Sequence, residues 1–225
     1  MPSLRIANLF AACLFALFIP RALASADTAP AGDGMLIVTI SSEPNKTYLA
    51  YTLEFRKRDH SEHRNLQNDA YNWLSSTKND FSGPDENGLV TVTKLPPGDW
   101  ELYEYFVTTQ MGGLITSGNH SMIDPGPDFS VPFTIRPGRA VYIGDFKAIG
   151  STGKSLIGID MPAGVRFVVA DHGARDIEIA KRKDPNLGDV DVQIPDIATM
   201  NNPLFQMEQK AAAAPSPPQP TSEDK

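Results

Sequence analysis

The sequence contains a single cysteine, Cys13, among its 225 residues. One thiol excludes an internal disulfide framework and a zinc site built from several cysteines. An excess of basic side chains is also lacking, since 20 Lys and Arg face 27 Asp and Glu for a net charge of −7. An acidic chain is not drawn to phosphate backbones, so we expect no nucleic-acid partner. Nineteen prolines and seventeen glycines argue against an all-helical bundle.

Long apolar runs are lacking except near the N-terminus, where residues 6–19 are almost entirely apolar and lie between Arg5 and Pro20. The run is shorter than the ~20 residues that a membrane-spanning helix needs. A basic start, a short apolar run and the small-x-small site at residues 22–24 are typical of a secretory signal peptide. We predict that residues 1–24 are removed on export. The mature protein is then periplasmic or secreted and has no membrane span.

Cys13 lies inside this apolar run, so cleavage after Ala24 discards the cysteine. The alternative is a lipoprotein anchored through Cys13, because Ala11 and Ala12 precede the cysteine as they would in a lipidation site. Phe10 is a poor substitute for the leucine of such a site, and the apolar run continues past the cysteine. We therefore favour cleavage.

The rest of the chain divides into three parts by composition. Residues 25–34 are small and polar, which predicts a flexible lead. Residues 211–225 are rich in alanine and proline and contain too little apolar surface to offset the entropy of ordering, so we predict a disordered tail. A single folded domain is expected over residues 35–205, with an insertion at residues 57–86.

Apolar residues in this domain alternate with the period of β-strands, as Leu49, Tyr51, Leu53 and Phe55 do. Turn signals such as Asn-Gly and Pro-Gly separate the segments. The predicted fold is mainly β, an antiparallel seven- or eight-stranded sandwich with one or two short helices. The predicted strands cover residues 36–40, 48–56, 89–94, 99–108, 129–135, 140–147, 156–159 and 165–170.

Two segments have helical signals. Leu66, Ala70, Trp73 and Leu74 recur at helical spacing within the insertion. Residues 174–183 begin with acidic and end with basic side chains before Pro185, which is the charge order that a helix dipole favours.

The predicted strand at residues 99–108 has apolar side chains on both faces. Simple alternation places Tyr103, Tyr105 and Val107 on one face and Trp100, Leu102 and Phe106 on the other. We favour a central strand covered on both sides over an exposed aromatic platform for a ligand.

Residues 95–102 (LPPGDWEL) resemble the L-P-x-G-x-aromatic element of transthyretin-like, carboxypeptidase-regulatory-like β-sandwiches. Residues 133–145, and residues 167–171 with the helix that follows, are similar to segments of uncharacterised exported bacterial members. The resemblance implies a sandwich used as a stabilising or ligand-contacting accessory module. It carries no catalytic residue, and this chain lacks the Tyr-Arg-Gly-Ser ending of the hydroxyisourate hydrolase branch.

The densest group of metal-ligating residue types is Asp59, His60, Glu62 and His63. The two histidines share one side of a helix but point to opposite faces of a strand, and a transition metal needs three or four ligands. We interpret this group as a polar, solvated loop rather than a metal site.

The run Gly150–Ser155 (GSTGKS) approaches a phosphate-binding loop, but Ala148 stands where that pattern requires glycine. The segment that follows contains a glycine and a proline and is predicted as a strand rather than the helix that such a loop needs. We interpret the run as a glycine-rich hairpin loop.

A Ser–His–Asp hydrolase could be assembled from the set His120, Ser121, Asp171 and His172. The chain has no Gly-x-Ser-x-Gly nucleophile elbow, so we attribute this grouping to chance.

Asp124, Asp128 and Asp145 are possible oxygen ligands for Ca²⁺, but the EF-hand pattern is absent. We interpret all three as turn aspartates.

The sequence thus favours a non-catalytic, extracytoplasmic accessory or binding protein of the bacterial envelope, with no catalytic, cofactor-binding or metal residues and an unknown envelope protein or ligand as its partner. The insertion at residues 57–86 and the loop at residues 110–128 are the expected contact surfaces, because long loops on a rigid scaffold often carry recognition residues. Trp73 and Leu114 are candidate apolar contacts there, although Trp73 is more simply explained as a cap on the core. The alternative is an envelope hydrolase or metal-dependent enzyme that uses the chain's histidines: His60, His63, His120 and His172.

Overall fold

The computed structural model describes residues 32–44, 47–69, 78–111, 114–119, 122, 128–200 and 202–209. The predicted signal peptide with Cys13, most of the predicted lead and the predicted C-terminal tail lie outside the described residues. Ala70, Trp73, Leu74, His120, Ser121 and Asp124 lie outside them as well.

Within these ranges the chain forms twelve strands and two helices. In chain order these are β1 (Gly34–Ser42), β2 (Tyr48–Lys57), β3 (His63–Asp69), β4 (Phe81–Ser82), β5 (Asn87–Leu95), β6 (Gly98–Met111), β7 (Leu114–Asn119), β8 (Val131–Ile135), β9 (Ala140–Lys154), β10 (Asp160–Ala170), α1 (Gly173–Lys183), β11 (Val190–Val192), α2 (Ile197–Met200) and β12 (Phe205–Met207).

The strands form two open sheets. Sheet A has seven strands in the order β12-β10-β9-β1-β5-β4, with β11 also paired to β9. β1 lies on one edge of β9, while β10 and β11 pair with successive stretches of the other edge. Sheet B has five strands in the order β3-β2-β6-β7, and β8 pairs with β6 below β7. The prediction of a mainly β chain with short helices is confirmed.

The prediction of purely antiparallel pairing is wrong, because sheet A is mixed. β1 and β11 run parallel to β9, and β12 runs parallel to β10. Parallel neighbours need a long crossover between them. Helix α1 supplies one such crossover, since it carries the chain from β10 across the outer face of sheet A to β11.

One large apolar core fills the space between the two sheets. Leu36, Val38 and Ile40 of β1 contribute to it from sheet A, and Trp100 and Leu102 contribute from sheet B. A second, smaller core lies on the opposite face of sheet A beneath α1, and its buried members are Ile37, Val90, Ala140, Tyr142, Ile179, Ala180 and Leu187. The central strand β1 is therefore buried on both faces, which explains the apolar run Met35–Val38 within it.

A β-bulge in β6 corrects the prediction that both faces of this strand are apolar. Glu54 of β2 pairs with Glu104, whereas Phe55 pairs with Leu102, so Tyr103 is the extra residue. The bulge shifts the alternation by one position. Trp100, Leu102, Tyr105 and Val107 are consequently all fully buried, while Tyr103 and Phe106 are half-buried.

Two further predictions about local structure are wrong. Leu66 was expected in a helix, but it lies in β3 and pairs with Leu53 of β2. Residues 156–159 were expected to form a strand, but they lie in the turn between β9 and β10. By contrast, the helix predicted at residues 174–183 is present as α1. No helix among the described residues combines the length and apolar character needed to cross a bilayer.

Candidate functional site

A cluster of charged and hydroxyl side chains lies between sheet A and α1, next to the second core. Asp145 of β9 and Asp176 of α1 are both fully buried. We call this group the polar cluster, and its members are Thr39, Ser41, Tyr142, Asp145, His172, Arg175 and Asp176. Buried carboxylates are costly unless they are paired and hydrogen-bonded, so their partners decide what the polar cluster can do.

A bulge in β9 directs Asp145 into the polar cluster. Ile37 of β1 pairs with Tyr142, but Thr39 pairs with Asp145, so β9 has one residue more than β1 between these two pairs. Gly144 lies in the bulge with φ +113°, a backbone conformation that L side chains rarely adopt. Without the extra residue, simple alternation would turn Asp145 towards the apolar core between the sheets.

Both carboxylate oxygens of Asp145 accept hydrogen bonds. Ser41 Oγ donates to Oδ1 over 2.7 Å, Arg175 Nη2 donates to Oδ2 over 2.7 Å, and His172 Nδ1 lies 3.0 Å from Oδ2. Burial alone would raise the pKa of Asp145. The hydrogen bonds from His172, Ser41 and Arg175 outweigh burial and hold that pKa below its usual value. Asp145 is therefore a buried carboxylate that stays ionised.

Asp176 is saturated in the same way from the other side. Thr39 Oγ1 and Tyr142 OH donate to Oδ2 over 2.8 and 2.7 Å, and Arg175 Nε donates to Oδ1 over 2.7 Å. Burial, and then the hydrogen bond to Asp176, raises the pKa of Tyr142. The phenol therefore acts as a permanent donor to the carboxylate.

Arg175 is the cation that joins the two buried carboxylates. Its guanidinium lies over the Phe81 ring, with Cζ 3.8 Å from the ring centroid, and Nη1 lies 3.9 Å from Glu86 Oε2. Burial disfavours the charge of Arg175, but Asp176 and Asp145 more than compensate and raise its pKa. One guanidinium thus neutralises one of the two charges and hydrogen-bonds to both carboxylates.

His172 reaches solvent, with 31% of its side chain exposed, as does Arg175 with 33%. The antiparallel pairing of Ala170 with Asp145 brings the residues after β10 over that carboxylate. The hydrogen bond to Asp145 raises the pKa of His172, and partial burial opposes the rise. His172 Nε2 lies 3.5 Å from Glu208 Oε2.

The Asp145–His172 pair shares one feature with catalytic dyads, because the carboxylate orients the ring through Nδ1. Such a dyad acts on a hydroxyl or thiol placed at Nε2. Among the described residues, the side chains at hydrogen-bond or ion-pair distance from His172 are Asp145, Arg175 and Glu208. None of these is a nucleophile that a histidine base would activate.

Glu86, Asp145 and His172 each place one ligand atom within 4.8 Å of the others, which is close enough to share a metal ion. The Arg175 guanidinium lies in the same place, since Nη2 is 2.7 Å from Asp145 Oδ2 and 3.3 Å from His172 Nδ1. A divalent cation would have to displace this side chain from two carboxylates. The arrangement therefore fits a salt-bridge network better than a metal site.

The predicted group around His60 and His63 does not form a cluster of free ligands. His60 lies in the β2–β3 turn with φ 62°, whereas His63 begins β3 and packs edge-on against Tyr103. Asp59 accepts hydrogen bonds from the backbone N–H and hydroxyl of Ser61. Glu62 forms ion pairs with both neighbouring cations, Lys57 and Arg64.

The structure also describes some residues of the remaining candidate sites: the Ser–His–Asp set, the possible Ca²⁺ ligands and the glycine-rich run. Asp171 accepts a hydrogen bond from the N–H of Gly173 over 3.0 Å and so supports the start of α1 instead of orienting a catalytic histidine. Asp145 is not a turn aspartate, since it lies within β9, whereas Asp128 is exposed. The run Gly150–Ser155 was interpreted as a hairpin loop, but β9 continues through Lys154.

The polar cluster was missed as a whole because its members come from three separate segments: β1, β9 and residues 172–176. The available signals were an aspartate in the middle of an apolar strand and a glycine directly before it. An isolated glycine within a strand pattern suggests a bulge, and a polar residue at a buried position implies a partner.

Comparison with known proteins identifies no family. No family model matches the chain, and no curated protein matches it. A solved leucine-rich repeat protein from Bacteroides thetaiotaomicron is similar over 52% of this chain and 14% of its own, with 11% sequence identity and a TM-score of 0.31. A similarity at this level carries no argument about function.

Proposed function

We propose that this chain is an exported, non-catalytic accessory or binding protein of the bacterial cell envelope, built as a transthyretin-like β-sandwich. The observation that supports this function is the internal pairing of the polar cluster. All four carboxylate oxygens of Asp145 and Asp176 accept hydrogen bonds from the same chain. Both carboxylates are also fully buried, so neither presents an oxygen to a substrate.

The pairing of its charged groups makes the polar cluster unsuited to catalysis. A general base or nucleophile must present a free atom to the reacting group, within hydrogen-bond reach of it. In the polar cluster the ionised groups are turned towards one another and covered by α1. The polar cluster therefore serves to fix α1 on sheet A, and the function lies on the exposed surface of the domain.

The second candidate is an envelope hydrolase or metal-dependent enzyme. The observation that favours this function is the Asp145–His172 pair, with its partly exposed ring. It would need a nucleophile or a water at Nε2, where Glu208 now lies. The enzyme hypothesis can therefore be tested by removing the Nε2 atom of His172.

The experiment removes Nε2 while keeping the hydrogen bond to Asp145. In His172→Asn the side-chain amide replaces Nδ1, and His63→Gln is the matched control. The chain from Ser25 and both variants are compared on chromogenic esters, phosphate monoesters and glycosides, with and without added Zn²⁺. We expect the same background rate from all three. Turnover that is lost in His172→Asn but kept in His63→Gln would establish the enzyme instead.

The export part of the proposal has its own test. Mass spectrometry of the protein from the periplasmic and membrane fractions gives the N-terminal residue. A periplasmic or secreted chain that begins at Ser25 or Asp27 supports export with cleavage. A membrane-bound chain that begins at a lipidated Cys13 replaces it with the lipoprotein, and an uncleaved cytosolic chain overturns export.

A further inference from the structure

The β9–β10 hairpin ends in an apolar turn that projects beyond the core. We call residues 155–159 the hairpin tip. Leu156 is fully exposed and Ile157 is 80% exposed. Ile159 in the tip and Met161 just after it are also exposed. Single exposed apolar side chains are common, but several consecutive ones at a projecting point indicate a contact site.

The turn at the hairpin tip is closed by hydrogen bonds between its two ends. Ser155 N–H donates to Ile159 O over 2.8 Å, and Gly158 N–H donates to Ser155 O over 2.9 Å. Ile159 N–H donates to Ser155 Oγ over 3.0 Å. Entry into an apolar medium is costly mainly when N–H and C=O groups lose water without another partner. These bonds remove the part of this cost that falls on the two ends of the turn, and Leu156 and Ile157 supply the apolar surface that offsets the rest.

Charged residues mark the base of the hairpin tip. Lys154 and Asp160 form an ion pair across the two strands immediately before and after the tip. An ion pair in this position stays in the polar headgroup layer while the three aliphatic side chains beyond it, Leu156, Ile157 and Ile159, enter the acyl region. The pair therefore defines how deep the tip can go.

A second hairpin leaves the domain at the same end. Tyr48 pairs with Thr109 of β6, and its hydroxyl oxygen lies 2.6 Å from Ser151 O and 2.8 Å from Gly164 O, so the bases of both hairpins are in contact. Beyond Thr109, β6 leads to the exposed Leu114 and Ile115 of β7. The second hairpin therefore carries two further exposed apolar side chains.

We propose that the hairpin tip is a contact site for the surface of a lipid bilayer, into which Leu156 and Ile157 insert. A protein partner fits less well, because a stable protein interface takes about 20–30 residues on each side and is enriched in aromatic anchors. The tip offers three aliphatic residues at a projecting turn. The chain has a net charge of −7, so anionic lipids do not attract it. Binding to the bilayer therefore depends on the apolar side chains of the tip.

The test is flotation of the chain from Ser25 with vesicles of phosphatidylcholine alone. This chain keeps the compact unit Ala31–Lys225 and lacks the apolar N-terminal run, which would bind lipid by itself. We expect the protein to float with the vesicles, and the bound fraction to be unchanged between about 0.1 M and about 1 M salt. The double variant Leu156→Asp with Ile157→Asp should weaken binding about tenfold or more.

The matched control makes the same change at two exposed apolar residues outside both hairpins, Val192→Asp with Met207→Asp. This control should bind within about twofold of the parent chain. Absence of flotation, or equal binding by the tip variant, overturns the proposal. Sedimentation velocity that shows a dimer lost in the tip variant, without vesicle binding, replaces the bilayer with a second copy of the chain. The outcome is independent of where the protein is found in the cell, so failure here leaves the proposed function standing.

Discussion

Two regions of sheet A, the polar cluster and the hairpin tip, differ in whether their unusual side chains have partners within the chain. Beneath α1 the fold buries two carboxylates beside the half-buried Arg175 guanidinium, and each of these groups is paired within the chain. At the hairpin tip it leaves the side chains of Leu156 and Ile157 in solvent. The first arrangement is complete in the isolated chain, whereas the second is favourable only when something apolar covers it. The comparison therefore assigns a stabilising role to the polar cluster and a contact role to the hairpin tip.

The most severe test of the comparison is removal of Asp145. In Asp145→Ala, the hydroxyl of Ser41 and part of the Arg175 guanidinium lose their buried acceptor. We expect the free energy of unfolding to fall by about 3–5 kcal/mol, the cost of breaking a buried ion pair from one side. Urea denaturation followed by circular dichroism measures it.

The control for this change is Asp189→Ala, in which the side chain is 90% exposed. It should alter the free energy of unfolding by no more than about 0.5 kcal/mol. If Asp145→Ala were equally mild, the polar cluster would not stabilise the fold and a functional role for its charges would have to be reconsidered.

The second test concerns the bulge that directs Asp145. Gly144 has φ +113°, and a Cβ at this position would lie 3.2 Å from Ala170 O. We expect Gly144→Ala to lower the free energy of unfolding by about 1–3 kcal/mol, because alanine is strained in this conformation.

Gly153 serves as the matched glycine in the same strand. It lacks a positive φ, and its nearest neighbour to an added Cβ is 3.7 Å away. Gly153→Ala should therefore be neutral or slightly stabilising by thermal denaturation. Equal losses at both glycines would mean that strand β9 tolerates no substitution in general, and the bulge would not be special.

Sequence patterns predicted the parts of this fold that depend on local chemistry. α1 was placed within one residue of its observed start because Asp176 and the basic residues before Pro185 act on the helix dipole of that segment alone. The alternation in β2 similarly reports a strand with one face towards the core. In both cases neighbours in sequence determine the structure.

The remaining features depend on residues far apart in the chain. The partners of Asp145 are Ser41, His172 and Arg175, and their convergence requires the parallel pairing of β1 with β9 as well as the α1 crossover. No local pattern encodes that pairing. The prediction of a strand at the hairpin tip is wrong for the converse reason: the β-branched residues there favour a strand, but Gly158, with φ +79°, closes a turn.

The third prediction, with a smaller expected effect, concerns how His172 makes the stability of the fold depend on pH. The pKa of His172 is raised in the folded protein above its ordinary value of 6.5. Its contribution to stability is therefore fully present below about pH 6.5 and is lost as the pH rises through the raised folded value. We expect the free energy of unfolding to decline over this interval. His172→Asn should flatten the decline, whereas His63→Gln should retain it.

The lowered pKa of Asp145 predicts the opposite dependence in acid. Its contribution is present above the ordinary value of 3.8 and is lost as the pH falls through the lower folded value. Denaturation midpoints measured from neutral to acidic pH distinguish the two groups. If His172→Asn left the decline above pH 6.5 unchanged, the histidine would not be coupled to Asp145.

The smallest expected effect is at the hairpin tip, where the comparison predicts almost none. Ile157→Ser should change the free energy of unfolding by no more than about 0.5 kcal/mol, because an 80% exposed side chain leaves no cavity when it is shortened. In the same hairpin, Val165 is buried, and Val165→Ala should cost at least about 1 kcal/mol. A loss at Ile157 that matched the loss at Val165 would show that the tip packs against the domain, and an apolar contact site would no longer be needed to explain its sequence.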